Sequence, residues 1–502
     1  MSPHLLLAAA LLCANSVHAI TPAEWLAAQP KPQFRAGHTL PRLTRFAWDM
    51  DDAVRVELAK DWGYALEFGV ASNERVENAL NKPESREAKL LALALSDPKR
   101  YPLSVTSSRE LPAQKVPPEV WTRDAAGRLL NAKAHSLDGT EWNPTMSTVY
   151  SPISPDSFWQ QAGELSAAPI RRLRMKCPIV MVLNTGEYGL GVPGFAKKVW
   201  EQDPAVMKAK GDVPWPDFIS KRKAHYQAIM TKAERAAVPA RLHYIYYTCG
   251  GGTHRNLFAG WADWGEQWEH FKDISDLPSN EAYYQHQNSG WTGERDMLTL
   301  CINAAAREIS GGKPLSYNWL SAGWEGEPGH SHGDIVRWTG FLKCYYTAGM
   351  IGGNEGYYQF LGRDGFSKPF PADQPPHWIQ QLTALAHVHA QFSRLEEFLR
   401  DGDLMAGPGK HRFSKDLPAY EFPTGDATVR VLARKHRRRA EWLVTAWAAD
   451  GDEREVKTTI PELGELKLRA RPSGAIYRVT LKEGRATAQP MDKDEPKPKA
   501  AQ

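Results

Sequence analysis

The chain alternates strand-like and helix-like segments over most of its length, and this alternation limits the folds open to it. Short apolar runs such as 178–184 are separated by amphipathic stretches with the period of a helix. Alternation of this kind predicts a parallel sheet covered by helices. Eight strand-like runs are predicted: 45–49, 64–69, 101–107, 178–184, 242–248, 315–322, 348–353 and 404–407.

Two α/β architectures fit such a pattern, an open doubly wound sheet and a closed barrel. An open sheet usually carries a glycine-rich phosphate loop after its first strand, whereas here the first run leads into Asp49, Met50, Asp51 and Asp52. Eight units within roughly 360 residues fit a barrel with long loops. We therefore predict a (β/α)₈ TIM barrel over residues 20–424.

The pattern of apolar and polar residues changes after Gly425. Short runs of alternating apolar and polar residues, joined by charged turns such as 450–452, predict a small C-terminal antiparallel β-sandwich domain over 425–485. We expect Trp442 in this domain to pack against the barrel. The segment 486–502 is rich in Lys, Pro, Glu and Ala towards its end and is predicted to be disordered.

The first nineteen residues have the pattern of a secretory signal peptide. An apolar stretch, 5–12, precedes a small-residue cleavage pattern at Val17, His18 and Ala19. No later segment reaches about 18 apolar residues, so no membrane span is predicted. The expected location is secreted or periplasmic.

The charge is mild, +4 over 502 residues. Nucleic-acid binding would need a broad basic face with aromatic platforms, and no such partner is predicted. Local basic clusters at 171–174 and 435–439 leave an anionic polysaccharide open as a partner, although solvated surface charge explains them equally well.

Two glutamates follow predicted strands in settings rich in glycine, asparagine and tyrosine. Glu187 lies in Asn184–Gly189, and Glu355 lies in Gly352–Tyr358. Because the carboxyl ends of parallel strands carry function in a barrel, two such acids can face each other across a substrate. Hydrolysis of a glycosidic bond commonly uses a pair of carboxyl groups, one on each side of the bond.

This arrangement resembles the clan of retaining (β/α)₈ glycoside hydrolases that contains β-galactosidases and β-agarases. The resemblance covers about 45–407 and implies a glycoside hydrolase in which the strand-four Glu187 is the acid/base and the strand-seven Glu355 is the nucleophile. The clan usually has Asn directly before the strand-four Glu, whereas here Thr185 and Gly186 separate Asn184 from Glu187. The family within the clan stays open.

The identity of the second catalytic carboxylate also stays open. Glu325 or Glu327 would replace Glu355 in this role if the strand count were wrong by one. An inverting hydrolase using Glu187 with Glu325 is one alternative, and a non-catalytic barrel that binds glycans is another. Sequence does not give the carboxyl separation that decides between retention and inversion.

The residues after the predicted strands suggest a cleft for a poly- or oligosaccharide. Tryptophan faces stack on the apolar faces of sugar rings, and polar rims hold the hydroxyl groups. His330 and His332 lack the helical spacing of a metal pair, so neither metal nor cofactor is predicted. The predicted substrate-binding residues are Asp49, Asn184, Tyr188, Trp261, Trp291, Trp324, Glu325, His330, His332 and Asn354.

Overall fold

The computed structural model describes most of the chain, in segments. The described residues are 19–45, 50–107, 117–135, 141–148, 150–185, 193–238, 243–247, 270, 274, 276–277, 281–283, 315–321, 335–355, 366–409 and 418–491.

The helices and strands are numbered here in chain order. The α-helices are α1 Pro22–Ala28, α2 Asp52–Ala59, α3 Asn73–Asn81, α4 Arg86–Ser96, α5 Asp156–Arg174, α6 Pro193–Trp200, α7 Pro204–Lys210, α8 Trp215–Ala236, α9 Ile335–Thr347, α10 His377–Ser393 and α11 Glu396–Asp401. The strands are β1 Ala19–Ile20, β2 Thr44–Arg45, β3 Leu66–Ala71, β4 Leu103–Ser107, β5 Asn131–His135, β6 Glu141–Thr148, β7 Ile179–Thr185, β8 His243–Tyr247, β9 Glu281–Tyr283, β10 Ser316–Ser321, β11 Met350–Glu355, β12 Phe370–Pro371, β13 Gly402–Leu404, β14 Val429–His436, β15 Glu441–Ala448, β16 Arg454–Ile460, β17 Gly464–Ala470, β18 Ala475–Lys482 and β19 Arg485–Pro490.

Two four-stranded parallel sheets form the centre of the molecule. Their orders are β9-β10-β11-β2 and β3-β4-β7-β8. A parallel bridge between Leu43 and Tyr64 joins them, and the Leu43 N–H donates to the Gly63 carbonyl at 3.1 Å. The joined order follows the chain cyclically, with the last strand, β11, beside the first, β2. The predicted α/β class is confirmed.

The strand count differs from the prediction by one from β9 onwards. The pattern missed β9 because its three residues, Glu281–Tyr283, are too short to form an apolar run. The predicted eighth strand near Leu404 is wrong, since β13 pairs antiparallel with β14 of the C-terminal region. The predicted sixth run, 315–322, is therefore β10, which is the seventh parallel strand of the structure. The predicted seventh run, 348–353, is β11, which is the eighth.

The two long helices α5 and α8 pack against each other. They approach closely at Gly163, where an added Cβ would lie 2.8 Å from the Met230 Cα. Upstream along both helices, Trp159 stacks on Tyr226 with ring centroids 4.8 Å apart. Aliphatic residues further along α5, such as Ile170, pack with strand residues such as Val182. The helix pair thus spans from the sheet to a separate aromatic cluster.

The C-terminal region is antiparallel, as predicted. One sheet has the order β13-β14-β15-β18-β19, and a second consists of β16 and β17. Apolar residues of both, including Val444 and Leu468, form one buried cluster. Ordered structure continues past the predicted boundary at 485, because β19 pairs with β18 from Arg485 to Pro490.

Helix α9 joins the C-terminal sheet to the parallel strands. A Cβ on Gly340 would lie 2.2 Å from the Trp447 ring, so only glycine permits this approach. The expectation that Trp442 makes the contact is wrong, since its side chain lies in the core of the C-terminal sheets. The Lys343 ammonium donates to the Gly474 carbonyl at 2.9 Å, and the Thr347 and Thr445 hydroxyls lie 2.6 Å apart.

In the described part of the chain, no helix combines the length and the apolar character needed to cross a membrane.

Candidate active site at the carboxyl ends of the parallel strands

The eight parallel strands end at the same edge of the joined sheets. Because side chains and loops at this edge carry function in barrels, the candidate site is placed here. The last residues of the strands are Arg45, Ala71, Ser107, Thr185, Tyr247, Tyr283, Ser321 and Glu355.

Glu355 is the last residue of the eighth parallel strand, which corrects its predicted place just beyond the seventh. Its backbone is in register with Leu320 of β10 and with Arg45 of β2. Asn354 is in register with Trp319 and Thr44 in the same way. Both residues thus lie at the carboxyl edge, between the seventh strand and the first.

Side chains of nearby strands are hydrogen-bonded beneath this edge. The Tyr317 hydroxyl donates to the Arg42 carbonyl at 2.8 Å and lies 2.9 Å from the Thr44 hydroxyl. Since β11 separates β2 from β10, this contact crosses the strand between them. Burial raises the pKa of Tyr317, so its hydroxyl keeps its proton as a donor.

Asn184 lies on the helix-facing side of β7. Its amide nitrogen donates to Glu234 of α8 at 3.1 Å, and the side chain is only 4% exposed. Side chains alternate along a strand, and Val182, two residues earlier, packs among the helices. The amide is therefore engaged with a helix, which does not support the predicted role of Asn184 in holding a sugar.

Sequence reasoning missed two residues of this network, Glu234 and Ser107. The Ser107 hydroxyl also donates to the Glu234 carboxylate, and Glu234 is fully buried. One pattern could have pointed to Glu234: in α8, polar residues that are buried in the structure recur at helical spacing. These residues are Ser220, Lys223, Gln227, Thr231 and Glu234.

The remaining predicted site residues lie outside the described part of the chain. They are Asp49, Glu187, Tyr188, Trp261, Trp291, Trp324, Glu325, His330 and His332. In sequence, Glu187 follows the end of β7 by two residues and Glu325 follows the end of β10 by four.

The basic cluster at 435–439 is paired with acids. Lys435 contacts Glu462, and the Arg437 guanidinium lies 2.7 Å from Asp403. Arg439 lies 3.5 Å from Glu441. These pairs favour surface charge over an anion-binding face.

A groove of about 690 Å³ lies on the outer side of α8. Its lining includes Lys232 and His270 but no strand residue. Two of its basic side chains contact acids, His225 with Asp156 at 2.8 Å and Arg235 with Asp276. We place the candidate site at the strand ends instead, because no lining residue of the groove belongs to that edge.

Among the residues that the structure describes, no group of three or more His, Cys, Asp or Glu side chains could hold a metal ion.

Comparisons with known proteins give remote similarities. No family model and no curated protein matches the chain. Among solved structures, trehalose-6-phosphate hydrolase from Bacillus licheniformis is 9% identical, covers 90% of this chain and 99% of its own, and has a TM-score of 0.46. The GH42 exo-carrageenase from Bacteroides ovatus is 9% identical, with 90% of this chain and 84% of its own covered and a TM-score of 0.45. A GH42 β-galactosidase from G. stearothermophilus is 12% identical, with 73% of this chain and 58% of its own covered and a TM-score of 0.43. Similarities this remote assign no family.

Proposed function

We propose that this chain is a glycoside hydrolase built on a closed (β/α)₈ barrel. The observation that carries the proposal is the strand order, in which eight parallel strands follow one another cyclically and β11 pairs with β2. Closure needs one further pairing, between β8 and β9. These two are the outer strands of the joined sheets, and each has one strand neighbour among the described residues.

The corrected strand count changes the choice of the second carboxylate. Glu187 still follows the fourth parallel strand, β7, while the acids that follow the seventh, β10, are Glu325 and Glu327. In the clan that the sequence resembles, the nucleophile follows strand seven. We therefore assign the acid/base role to Glu187 and the nucleophile role to Glu325, with Glu327 as its neighbour and Glu355 as the competing acid at strand eight.

The proposed reaction proceeds in two steps. Protonated Glu187 gives its proton to the leaving glycosidic oxygen while the Glu325 carboxylate attacks the anomeric carbon, which forms a glycosyl-enzyme ester. Glu187, now ionised, then takes a proton from water, and the water oxygen displaces Glu325. Retention requires a carboxyl separation of about 5–5.5 Å, and a separation of roughly 6.5–9.5 Å would convert the scheme to inversion.

The proposed substrate is a poly- or oligosaccharide. The tryptophans Trp261, Trp291 and Trp324 supply stacking faces, and Tyr188 and Asp49 supply hydrogen bonds to hydroxyl groups. Because the basic residues at 435–439 are paired with acids, we propose a neutral substrate and not an anionic one. We also propose export through the signal-like segment 1–19, which N-terminal sequencing of protein from culture supernatant or periplasm would test.

The test is hydrolysis of a glycan panel, read by reducing-end release, with wild type and Glu187→Gln. We expect wild type to cleave at least one glycan and the variant to lose about 100-fold or more of kcat, since an amide cannot protonate the leaving oxygen. Glu119→Gln, at an exposed surface position, is the control and should keep full activity. A wild type that binds a glycan but cleaves none would instead make the chain a glycan-binding barrel.

A further inference from the structure

Glu234 near the end of α8 is a fully buried carboxylate held by two neighbouring strands. The Ser107 hydroxyl donates to one of its oxygens, and the Asn184 amide donates to the other at 3.1 Å. Ser107 is the last residue of β4, and Asn184 is the penultimate residue of β7. One side chain of the helix thus joins the carboxyl ends of the third and fourth parallel strands.

Burial of this carboxylate makes its hydrogen bonds important. A buried acid loses its hydration, so each bond that remains counts more than it would at the surface. Ser107 and Asn184 are also nearly inaccessible, at 4% exposure each. Loss of the carboxylate would remove one hydrogen-bond acceptor from each of these buried donors and would loosen the strand ends that carry them.

The network lies directly before the proposed acid in the chain. Two residues separate Asn184 from Glu187, and the three Cα–Cα steps between them span at most about 11 Å even if fully extended. Displacement of a reacting group by about 1 Å can cost on the order of 100-fold in rate. A fixed strand end is therefore a means of holding Glu187 in place.

We propose that Glu234 is a positioning residue, which anchors the end of β7 through Asn184 and so sets the place of Glu187. The inference rests on the proposed function for its catalytic consequence. Its structural part, the anchoring of two strand ends by one helix side chain, stands independently of any activity.

The test compares Glu234→Gln with Glu396→Gln. Glutamine keeps the shape but carries no charge. Its amide nitrogen can donate to the Ser107 hydroxyl and its oxygen can accept from Asn184, so the two charge-assisted hydrogen bonds become neutral ones of about half the strength. Glu396 is a matched control, since it is also buried and its carboxylate accepts the Thr39 N–H at 2.7 Å, on a helix after the last parallel strand. Ser107→Ala removes one donor and serves as a milder second variant.

The first measurement is hydrogen–deuterium exchange. We expect peptides that cover 103–107 and 179–190 to exchange at least fivefold faster in Glu234→Gln, with a smaller increase in Ser107→Ala and none in Glu396→Gln. Unchanged exchange in these peptides, or an equal increase throughout the protein, would overturn the proposal.

The second measurement is hydrolysis of the glycan identified with wild type. We expect Glu234→Gln to lower kcat about tenfold or more and to change KM less than twofold. The reason is that Glu187 is displaced, while the tryptophans proposed to stack on the sugar are unaffected. An unchanged kcat would overturn the catalytic part. A wild type without hydrolytic activity would refute the proposed function, and the exchange measurement would still decide whether Glu234 anchors β7.

Discussion

His389 of α10 is a titratable side chain that the fold keeps neutral. Its Nε2 lies 3.0 Å from the Pro41 carbonyl and its Nδ1 lies 2.9 Å from the Tyr346 hydroxyl. Since a carbonyl can only accept, Nε2 carries the proton and Nδ1 accepts from the tyrosine. Burial, with a smaller contribution from the nearby His38, lowers the pKa of His389 to about 3.

This pKa shift predicts that the protein loses stability in mild acid. Between about pH 6.5 and pH 3 the unfolded chain protonates His389 whereas the folded protein does not, so the free energy of unfolding falls as the pH falls. The expected contribution is up to about 1.4 kcal/mol per pH unit. Urea unfolding of wild type and His389→Gln from pH 7.5 to pH 5 would measure it.

Glutamine can donate to Pro41 and accept from Tyr346, so His389→Gln should fold and show a shallower pH dependence than wild type. Equal slopes in wild type and His389→Gln would contradict the account.

The residue-scale part of the site was the least predictable from sequence. The two glutamates are predicted as site residues because they follow apolar runs, but the pattern does not show that Asn184 faces α8. Its partner Glu234 is 50 residues away in the chain, and only the folded helix brings the two together. Strand alternation shows that neighbouring residues face opposite sides, but it does not tell which side faces the helices.

At the scale of elements, Arg434 of β14 connects two helix ends to the C-terminal sheet. Its guanidinium donates to the carbonyls of Thr347 at the end of α9, Phe398 and Leu399 in α11, and Gly402 just beyond α11. The last carbonyls of a helix have no partner within the helix and carry partial negative charge, which suits a cation. Burial lowers the pKa of Arg434 to about 10, so the guanidinium stays charged at neutral pH.

Arg434→Met should destabilise the protein strongly. The methionine fills part of the volume but leaves several buried carbonyls without donors, at a cost on the order of 3 kcal/mol in the free energy of unfolding. Arg438→Met, at an exposed position two residues past the strand, is the matched control and should change stability by less than about 0.5 kcal/mol. Chemical unfolding would compare them, and equal effects would refute the role of Arg434.

The close contact of α9 with β15 gives a second prediction at this scale. Alanine normally stabilises a helix by about 1 kcal/mol relative to glycine. In Gly340→Ala, however, the new methyl group would overlap the Trp447 ring and the Pro472 carbonyl, which lies 2.4 Å from the added Cβ. We expect a net loss of about 1–3 kcal/mol in thermal unfolding. A gain in stability would show that the two elements are not packed as described.

At the scale of the whole molecule, the repeated alternation of strand and helix was readable because long apolar runs and amphipathic helices have distinct periods. The exact number and order of the strands could not be read from the sequence. A three-residue strand, β9, leaves no pattern, and the weak run near Leu404 joins a different sheet. Similarly, β19 was missed because its short run of alanine, threonine and glutamine resembles the polar tail that follows. The site assignment depends on this count, since it moves the seventh-strand acid from Glu355 to Glu325.

The most direct test is to identify the glutamate that forms a covalent bond with the sugar. A 2-deoxy-2-fluoro analogue of the cleaved glycan slows hydrolysis of the ester, and mass spectrometry of the digested protein then locates the labelled peptide. We expect one label, on Glu325 or its neighbour Glu327. A label on Glu355 would contradict the strand assignment, and inverted product with no label would contradict the retaining mechanism.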